Sequence, residues 1–221
     1  MSASIIDTLR YIFDIFIHLD VHLQAIVQNY GAWTYTILFI VIFCETGLVV
    51  TPFLPGDSLL FAAGSIASLG VLNPNLLVLI IAIAAVTGDS TNYLIGHLVG
   101  PRVFHEKVRF LKKEYLDKTH LFYEKHGGKT VILARFIPII RTFSPFVAGV
   151  GAMHYPKFLA FSITGSFLWS SIFVYTGYFF GNIPFIKNNF TLVIVAIILI
   201  SVIPAITGFV KQKMNSNKMN V

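Results

Sequence analysis

The chain has 221 residues, of which 56% are hydrophobic and only 12% are charged, and its mean hydropathy is +0.77. A soluble domain carries about twice that share of charge, so the composition excludes an ordinary soluble protein and indicates a polytopic membrane protein. The net charge of +6 belongs to the loops, where basic residues set membrane orientation, and it does not indicate nucleic-acid binding. The single cysteine, Cys44, excludes disulfides within the chain and cysteine-based metal sites.

Residues 1–29 are predicted to form an amphipathic helix at the membrane interface. Acidic residues interrupt this stretch at Asp7, Asp14 and Asp20, and no compact apolar core precedes a small-residue cleavage site. We therefore expect no cleavable signal sequence.

A membrane domain is predicted over residues 30–210. A transmembrane helix needs about 20 predominantly apolar residues, and the segments that approach or exceed this length are 30–45 (with part of 21–29), 75–99, 158–181 and 185–210. The sequence therefore predicts an all-α fold with about four transmembrane helices.

Two further apolar segments, 46–70 and 130–152, are interrupted by residues that break helices. Proline removes a backbone donor and clashes with the preceding turn, and the predicted breaks are Pro52, Pro55, Gly56, Pro138 and Pro145. The remaining arms of roughly ten residues, at ~1.5 Å per residue, would cover about half of the hydrocarbon core. We therefore predict two re-entrant helical hairpins, which a membrane tolerates only where protein or a water-filled cavity surrounds them.

Basic residues predict that the two hairpins enter from opposite sides of the membrane. They cluster in the loop 101–129 and in the tail 211–221, and the positive-inside rule assigns both to the cytoplasm. Because two spans close the chain between them, segment 130–152 must return to the side it came from. It then enters from the cytoplasm and segment 46–70 from outside, as in inverted-repeat transporters. The similar sequences FAAG at 61–64 and FVAG at 146–149 agree with such a repeat.

Five Asp, Glu and Arg residues fall inside the apolar segments: Glu45, Asp57, Asp89, Arg135 and Arg141. Each charge at the bilayer centre costs about 2.5–3.5 kcal/mol even on insertion scales. Five such charges are expected to face a polar cavity or one another, which favours a functional use.

The two arginines keep their charge in almost any environment and present a planar set of donors that matches phosphate or carboxylate. Arg135 and Arg141 are therefore predicted to bind an anionic head group or to pair with acidic residues. The alternative is that they extend to the cytoplasmic surface beside Lys129, as long basic side chains often do.

The three acidic residues are predicted to carry protons or to form ion pairs. Burial and a nearby arginine shift the pKa of a carboxyl in opposite directions, so Glu45 could exchange protons between these two influences. Asp57 follows the break of the first hairpin and is equally suited to capping its second arm. Asp89 shares a helix face with Asn92 and Tyr93, and it is either a second proton carrier or a hydrogen-bond partner between helices.

Two longer motifs carry a family resemblance. Residues 45–64, ETGLVVTPFLPGDSLLFAAG, place an acidic residue before an F-x-P-G-D turn, and residues 123–153 contain R-F-x-P-x-x-R-T followed by A-G. These motifs resemble the signature segments of the DedA family of bacterial inner-membrane proteins, and the resemblance runs from about residue 25 to 210. It implies a fold similar to the eukaryotic VTT-domain lipid scramblases, with two opposed re-entrant hairpins.

The resemblance also implies a function in lipid transport. Members of the family are implicated in moving undecaprenyl phosphate across the inner membrane and are linked to the proton motive force. The family's membrane acids correspond to Glu45 and Asp57, and its essential arginines to Arg135 and Arg141. We therefore expect a multi-pass inner-membrane flippase with a cytoplasmic C-terminus, whose partners are membrane lipids and protons and not nucleic acid. Whether it forms a homo-oligomer stays open.

A proton-coupled ion antiporter or channel is the main alternative, with the same five charges lining an ion path. Arginines on such a path argue mildly against cation conduction. Enzymatic activity is not expected, because the sequence contains neither a G-x-S-x-G elbow nor an H-E-x-x-H motif. No cofactor or metal is expected either.

Overall fold

The computed structural model describes residues 19–47, 56–105, 128–151, 153–189, 192–193 and 195–197, and every regular element within them is an α-helix. The helices are α1 (Leu19–Tyr30), α2 (Trp33–Gly47), α3 (Gly56–Ala67), α4 (Pro74–His105), α5 (Lys129–Ala134), α6 (Pro138–Val150), α7 (Tyr155–Phe180) and α8 (Pro184–Asn188). The predicted all-α class is confirmed. The tail 211–221 lies outside the described residues. The same holds for most residues of three predicted segments: 1–29, 101–129 and 185–210.

Two of the described helices are long and apolar enough to cross a membrane: the Pro74–Val99 part of α4 and the whole of α7, each with 26 residues. They agree closely with the predicted spans 75–99 and 158–181. By contrast, α2, at the place of the predicted span 30–45, has 15 residues, and α3 has 12. At ~1.5 Å per residue, neither of these two covers a hydrocarbon core of ~30 Å.

The long helices α4 and α7 pack against each other and organise the shorter ones. Helices α2 and α6 lie along α4, whereas α3 lies along α7. Helix α1 packs on α2 and α3, and buries Leu23 and Val27, which are four residues apart and share one face.

The helix pair α2–α3 begins and ends at one end of the long helices. Tyr35, near the start of α2, accepts a hydrogen bond from the backbone N–H of Asn73 just before α4. Ser65, near the end of α3, accepts one through its carbonyl from Asn182 just after α7. The other ends of α2 and α3 therefore lie deep within the bundle.

The helix pair α5–α6 begins and ends toward the opposite end of the long helices. Gly128, just before α5, lies against the ring of Phe161 near the start of α7. The hydroxyl of Tyr93 in α4 donates to the carbonyl of Met153, just after α6. The two helix pairs thus approach the middle of the bundle from opposite directions.

The short sequences FAAG and FVAG make the same contacts in the two halves of the fold. In each, the glycine lies against a backbone carbonyl of a long helix: Gly64 against Val174 and Gly149 against Tyr93. The phenylalanine carbonyl lies in turn against a glycine of that long helix: Phe61 against Gly177 and Phe146 against Gly96. Glycine lets helix backbones approach closely at such crossings. An internal repeat predicts this correspondence between the α3–α7 and α6–α4 contacts.

Replacing Gly177 by alanine is expected to lower the melting temperature of the purified protein, because the new methyl group would overlap the backbone of Phe61. Overpacking of this kind costs roughly 1–3 kcal/mol. Gly165→Ala in the same helix is the matched control, since the nearest atom to its added methyl group lies 3.4 Å away. Equal melting temperatures for the two variants in the same detergent would contradict the close crossing.

Within the predicted hairpin 130–152, a helix break lies between α5 and α6. Helix α5 ends at Ala134 and α6 begins at Pro138, in the first turn, where a proline's missing N–H is tolerated. Gly56 is the first residue of α3, whereas Pro52 and Pro55 lie outside the described residues.

The break predicted at Pro145 is wrong, because α6 continues through this residue to Val150. A proline inside a helix removes one backbone hydrogen bond and strains the preceding turn. Here the carbonyl of Arg141 loses its donor within the helix, and the Asn92 amide of α4 hydrogen-bonds the next carbonyl, that of Thr142, at 2.6 Å. Such contacts between helices are how membrane proteins accommodate prolines.

Candidate functional site

The five Asp, Glu and Arg residues of the apolar segments gather where the two short helix pairs meet. Glu45 lies near the end of α2, Asp57 in the first turn of α3 and Asp89 within α4. Arg135 follows α5 directly, and Arg141 lies in the first turn of α6. All five are at most 6% exposed, so the alternative in which the arginines extend to the membrane surface does not hold.

Arg141 bridges two carboxylates from different helices. Its Nη1 donates to Asp57 Oδ1 at 2.9 Å, and its Nη2 pairs with Glu45 Oε1. Because the guanidinium group presents its donors in one plane, a single side chain joins α2, α3 and α6.

Arg135 forms a second ion pair, with Asp89. The Asp89 Oδ2 atom accepts hydrogen bonds from Arg135 Nη2 and, at 2.7 Å, from Ser162 Oγ of α7. Asp89 is therefore a hydrogen-bond partner between helices, one of its two predicted roles. Its other role, as a proton carrier, stays a prediction.

Trp169 of α7, which no sequence motif marked, touches both ion pairs. Its indole N–H donates to Asp57 Oδ1 at 2.9 Å. Its ring centroid lies 4.9 Å from Arg141 Cζ and 5.8 Å from Arg135 Cζ, within the range of a cation–π contact. A stripe of polar side chains at helical spacing in this largely apolar helix could have indicated the contact face from the sequence. Its members are all buried: Ser162, Ser166, Trp169 and Ser170.

Asn92 joins the backbone segments beside the Glu45–Arg141 pair. Its Nδ2 donates to the carbonyl of Thr142 at 2.6 Å and to that of Thr46 at 3.3 Å. These two residues directly follow Arg141 and Glu45, so Asn92 holds both ends of the ion pair from α4. Its predicted place on the Asp89 face of the helix is confirmed by the burial of both side chains.

Gly56 makes room for the Glu45 carboxylate at the start of α3, since a Cβ at this position would overlap that carboxylate. The N-terminus of a helix favours negative charge, and Asp57 lies in the same turn. Asp57 is the second residue of α3, which begins at Gly56. Its contacts with Arg141 and Trp169 give it a role in the ion-pair cluster that goes beyond helix capping.

The cluster contains three carboxylates but only two guanidinium groups, and uncompensated buried charge is costly. Several of its polar atoms have no hydrogen-bond partner within the described part of the chain: Glu45 Oε2, Asp89 Oδ1, Asn92 Oδ1, Arg135 Nη1 and Arg141 Nε. Both donors and acceptors thus remain available to an incoming group. In the part of the chain that the structure describes, no group of three or more His, Cys, Asp or Glu residues is arranged to hold a metal ion.

Comparisons with known proteins agree on one family. Residues 54–179, more than half of the chain, match the VTT domain. The chain is 52% identical over 210 residues to Protein DedA of Escherichia coli (strain K12). This match covers 94% of this chain and 96% of that protein. No solved structure matches the chain significantly.

More distant relatives include the uncharacterized membrane protein Rv0364 of Mycobacterium tuberculosis (strain ATCC 25618 / H37Rv), 45% identical over 179 residues, or 77% of this chain and 76% of that protein. Inner membrane protein YqjA of Escherichia coli (strain K12) is 32% identical over 151 residues, or 68% and 69%. These names, with the two membrane-length helices, identify this chain as a membrane protein. It belongs to the DedA family and carries the VTT domain.

Proposed function

We propose that the protein moves a phosphorylated polyprenyl lipid, such as undecaprenyl phosphate, across the bacterial inner membrane. The observation that carries this proposal is the buried cluster in which Arg135 and Arg141 meet three carboxylates. Guanidinium groups bind phosphate with the same donors that bind carboxylate, so a phosphate head group can replace the acidic partners. In this proposal the ion-paired arrangement is the state without a head group.

We also propose that α2–α3 and α5–α6 are re-entrant hairpins that enter from outside and from the cytoplasm, respectively. Their lengths and their contacts at opposite ends of α4 and α7 support this arrangement. Helix α2 is then the inward arm of the first hairpin and not a separate span. Lys129 and Lys157 lie beside the ends of the second hairpin, as expected of its cytoplasmic side, which also holds the C-terminus.

In the proposed transport step, the two arginines exchange their carboxylate partners for the phosphate head group. The head group enters between the hairpins and binds both arginines, while the polyprenyl tail stays in lipid. Glu45 and Asp57 then lose Arg141, Asp89 loses Arg135, and a buried carboxylate without a partner is costly. They therefore take up protons, which couples lipid movement to the proton gradient without any chemical change in the lipid.

Reconstitution into liposomes tests the proposal directly. The rate at which undecaprenyl phosphate crosses the bilayer is expected to exceed that of protein-free liposomes and to saturate with lipid. Undecaprenol, which has the same tail without the phosphate, is expected not to compete. Translocation no faster than in protein-free liposomes, or equal competition by the alcohol, would overturn it.

A proton-coupled ion antiporter or channel is the second candidate. The observation that favours it is the excess of one carboxylate, with the acceptor atoms Glu45 Oε2 and Asp89 Oδ1 lacking a hydrogen bond within the described residues. Cation flux through the same liposomes, unaffected by added undecaprenyl phosphate, would favour this function over lipid transport.

A further inference from the structure

We propose that Trp169 is a positioning residue that holds the two arginines in place for a phosphate head group. This inference rests on the proposed function, because it concerns the same arginines. It assigns to an uncharged residue the task of keeping the two guanidinium groups together while their acidic partners are exchanged.

Trp169 is a contact that Arg135 and Arg141 have in common. The ion-pair partners of Arg141 lie on α2 and α3, and that of Arg135 lies on α4. The indole ring, by contrast, lies within 6 Å of both guanidinium carbons. With none of its surface exposed, Trp169 is the largest fully buried side chain in the described part of the chain, so its ring is held firmly by packing.

The contact with the indole ring does not compete with phosphate. A guanidinium group lies against an aromatic ring through its face, whereas it binds phosphate through the N–H groups in its plane. Carboxylates also bind through N–H groups in the guanidinium plane, so they are the partners that phosphate replaces in the proposed exchange. Trp169 can therefore stay in contact with both arginines in either state, and the spacing of the two groups is set before the ligand binds.

The indole N–H donates a hydrogen bond to Asp57, one of the carboxylates that Arg141 releases in the proposed exchange. Asp57 Oδ1 accepts from Trp169 Nε1 and from Arg141 Nη1, both at 2.9 Å. When Arg141 turns to a head group, the indole N–H remains as a donor to Asp57. Because a buried acceptor without any donor is costly, this contact lowers the barrier to the exchange.

Two substitutions separate these contributions in the full-length protein reconstituted into liposomes. Trp169→Leu removes both the ring face and the N–H, and it is expected to raise the half-saturating concentration of undecaprenyl phosphate about tenfold or more. Trp169→Phe keeps an aromatic face without the N–H, and it is expected to recover most of that affinity with a lower maximal rate. Trp33→Leu is the matched control, since Trp33 is 70% exposed at the start of α2.

Fluorescence provides a readout that a merely structural role would not change. The chain has two tryptophans, so Trp33→Phe leaves Trp169 as the only indole fluorophore. Its emission is expected to shift when undecaprenyl phosphate is added and to stay constant with undecaprenol. If Trp169→Leu fails to fold, this measurement decides alone.

The inference is overturned if Trp169→Leu saturates at the wild-type lipid concentration. It is also overturned if the emission of Trp169 stays constant at undecaprenyl phosphate concentrations that saturate transport. Failure of the proposed function would be seen in the wild-type protein as absent transport, whereas failure of this inference alone would leave wild-type transport intact.

Discussion

Replacing Arg141 by alanine is expected to abolish lipid translocation and to destabilise the protein. The arginine is the ion-pair partner of both Glu45 and Asp57, and removing one partner of a buried ion pair costs about 3–5 kcal/mol. Initial translocation rates in liposomes and the melting temperature in detergent measure the two effects separately. Unchanged translocation by Arg141→Ala would remove this residue from the head-group site.

Two companion variants separate stability from binding. Arg141→Lys keeps the charge but not the planar donor set, and we expect it to be more stable than Arg141→Ala while it transports slowly. Combining Arg141→Ala with Glu45→Gln and Asp57→Asn removes the unpaired charges, and we expect the melting temperature to recover without transport. Recovery of transport in the triple variant would show that Arg141 acts only through stability.

Replacing Glu45 by glutamine is expected to weaken the response of transport to a pH gradient. Glutamine has nearly the same shape as glutamate but cannot take up a proton, so the contribution of Glu45 to the proposed coupling is lost. Translocation is measured in liposomes with and without an imposed gradient, and the ratio of the two rates is expected to fall below that of the wild-type protein. Binding of the lipid should persist, since both arginines remain.

A control for the glutamine substitution is Glu124→Gln in the basic loop 101–129, which should respond to the gradient as the wild-type protein does. An undiminished response in Glu45→Gln would assign proton uptake to another group. Asp57 and Asp89 are then the remaining carboxylates of the cluster, and Asp57→Asn and Asp89→Asn would distinguish them.

The glycine contacts between helices are repeated in the two halves of the chain, but the charges are not. The glycine contacts of α3 on α7 recur for α6 on α4, whereas the three acids lie in the first half of the chain and both arginines in the second. The ion pairs therefore join the two halves, and separating the halves would leave one acidic and one basic surface. In the proposed function, the basic surface binds the phosphate and the acidic surface takes up protons.

Hydropathy predicted the long helices well, because lipid demands apolar residues over a fixed length. It placed 75–99 and 158–181 within a few residues of the observed helices. Local rules were less reliable at Pro145, where α6 continues. The tendency of proline to end a helix is a property of the local backbone, whereas the Asn92 amide that hydrogen-bonds this turn comes from another helix.

The apolar segments and the two motifs were sufficient to predict a membrane protein of the DedA family, and the five Asp, Glu and Arg residues in those segments indicated a candidate site. These five residues stood out because charge in an apolar segment is too costly to be incidental. The pairing of each acid with its arginine, and the contact of Trp169 with both arginines, are visible only in the folded structure. The ion pairs join residues 46 to 96 positions apart, and such pairings depend on how the helices pack, which periodicity along one helix does not encode.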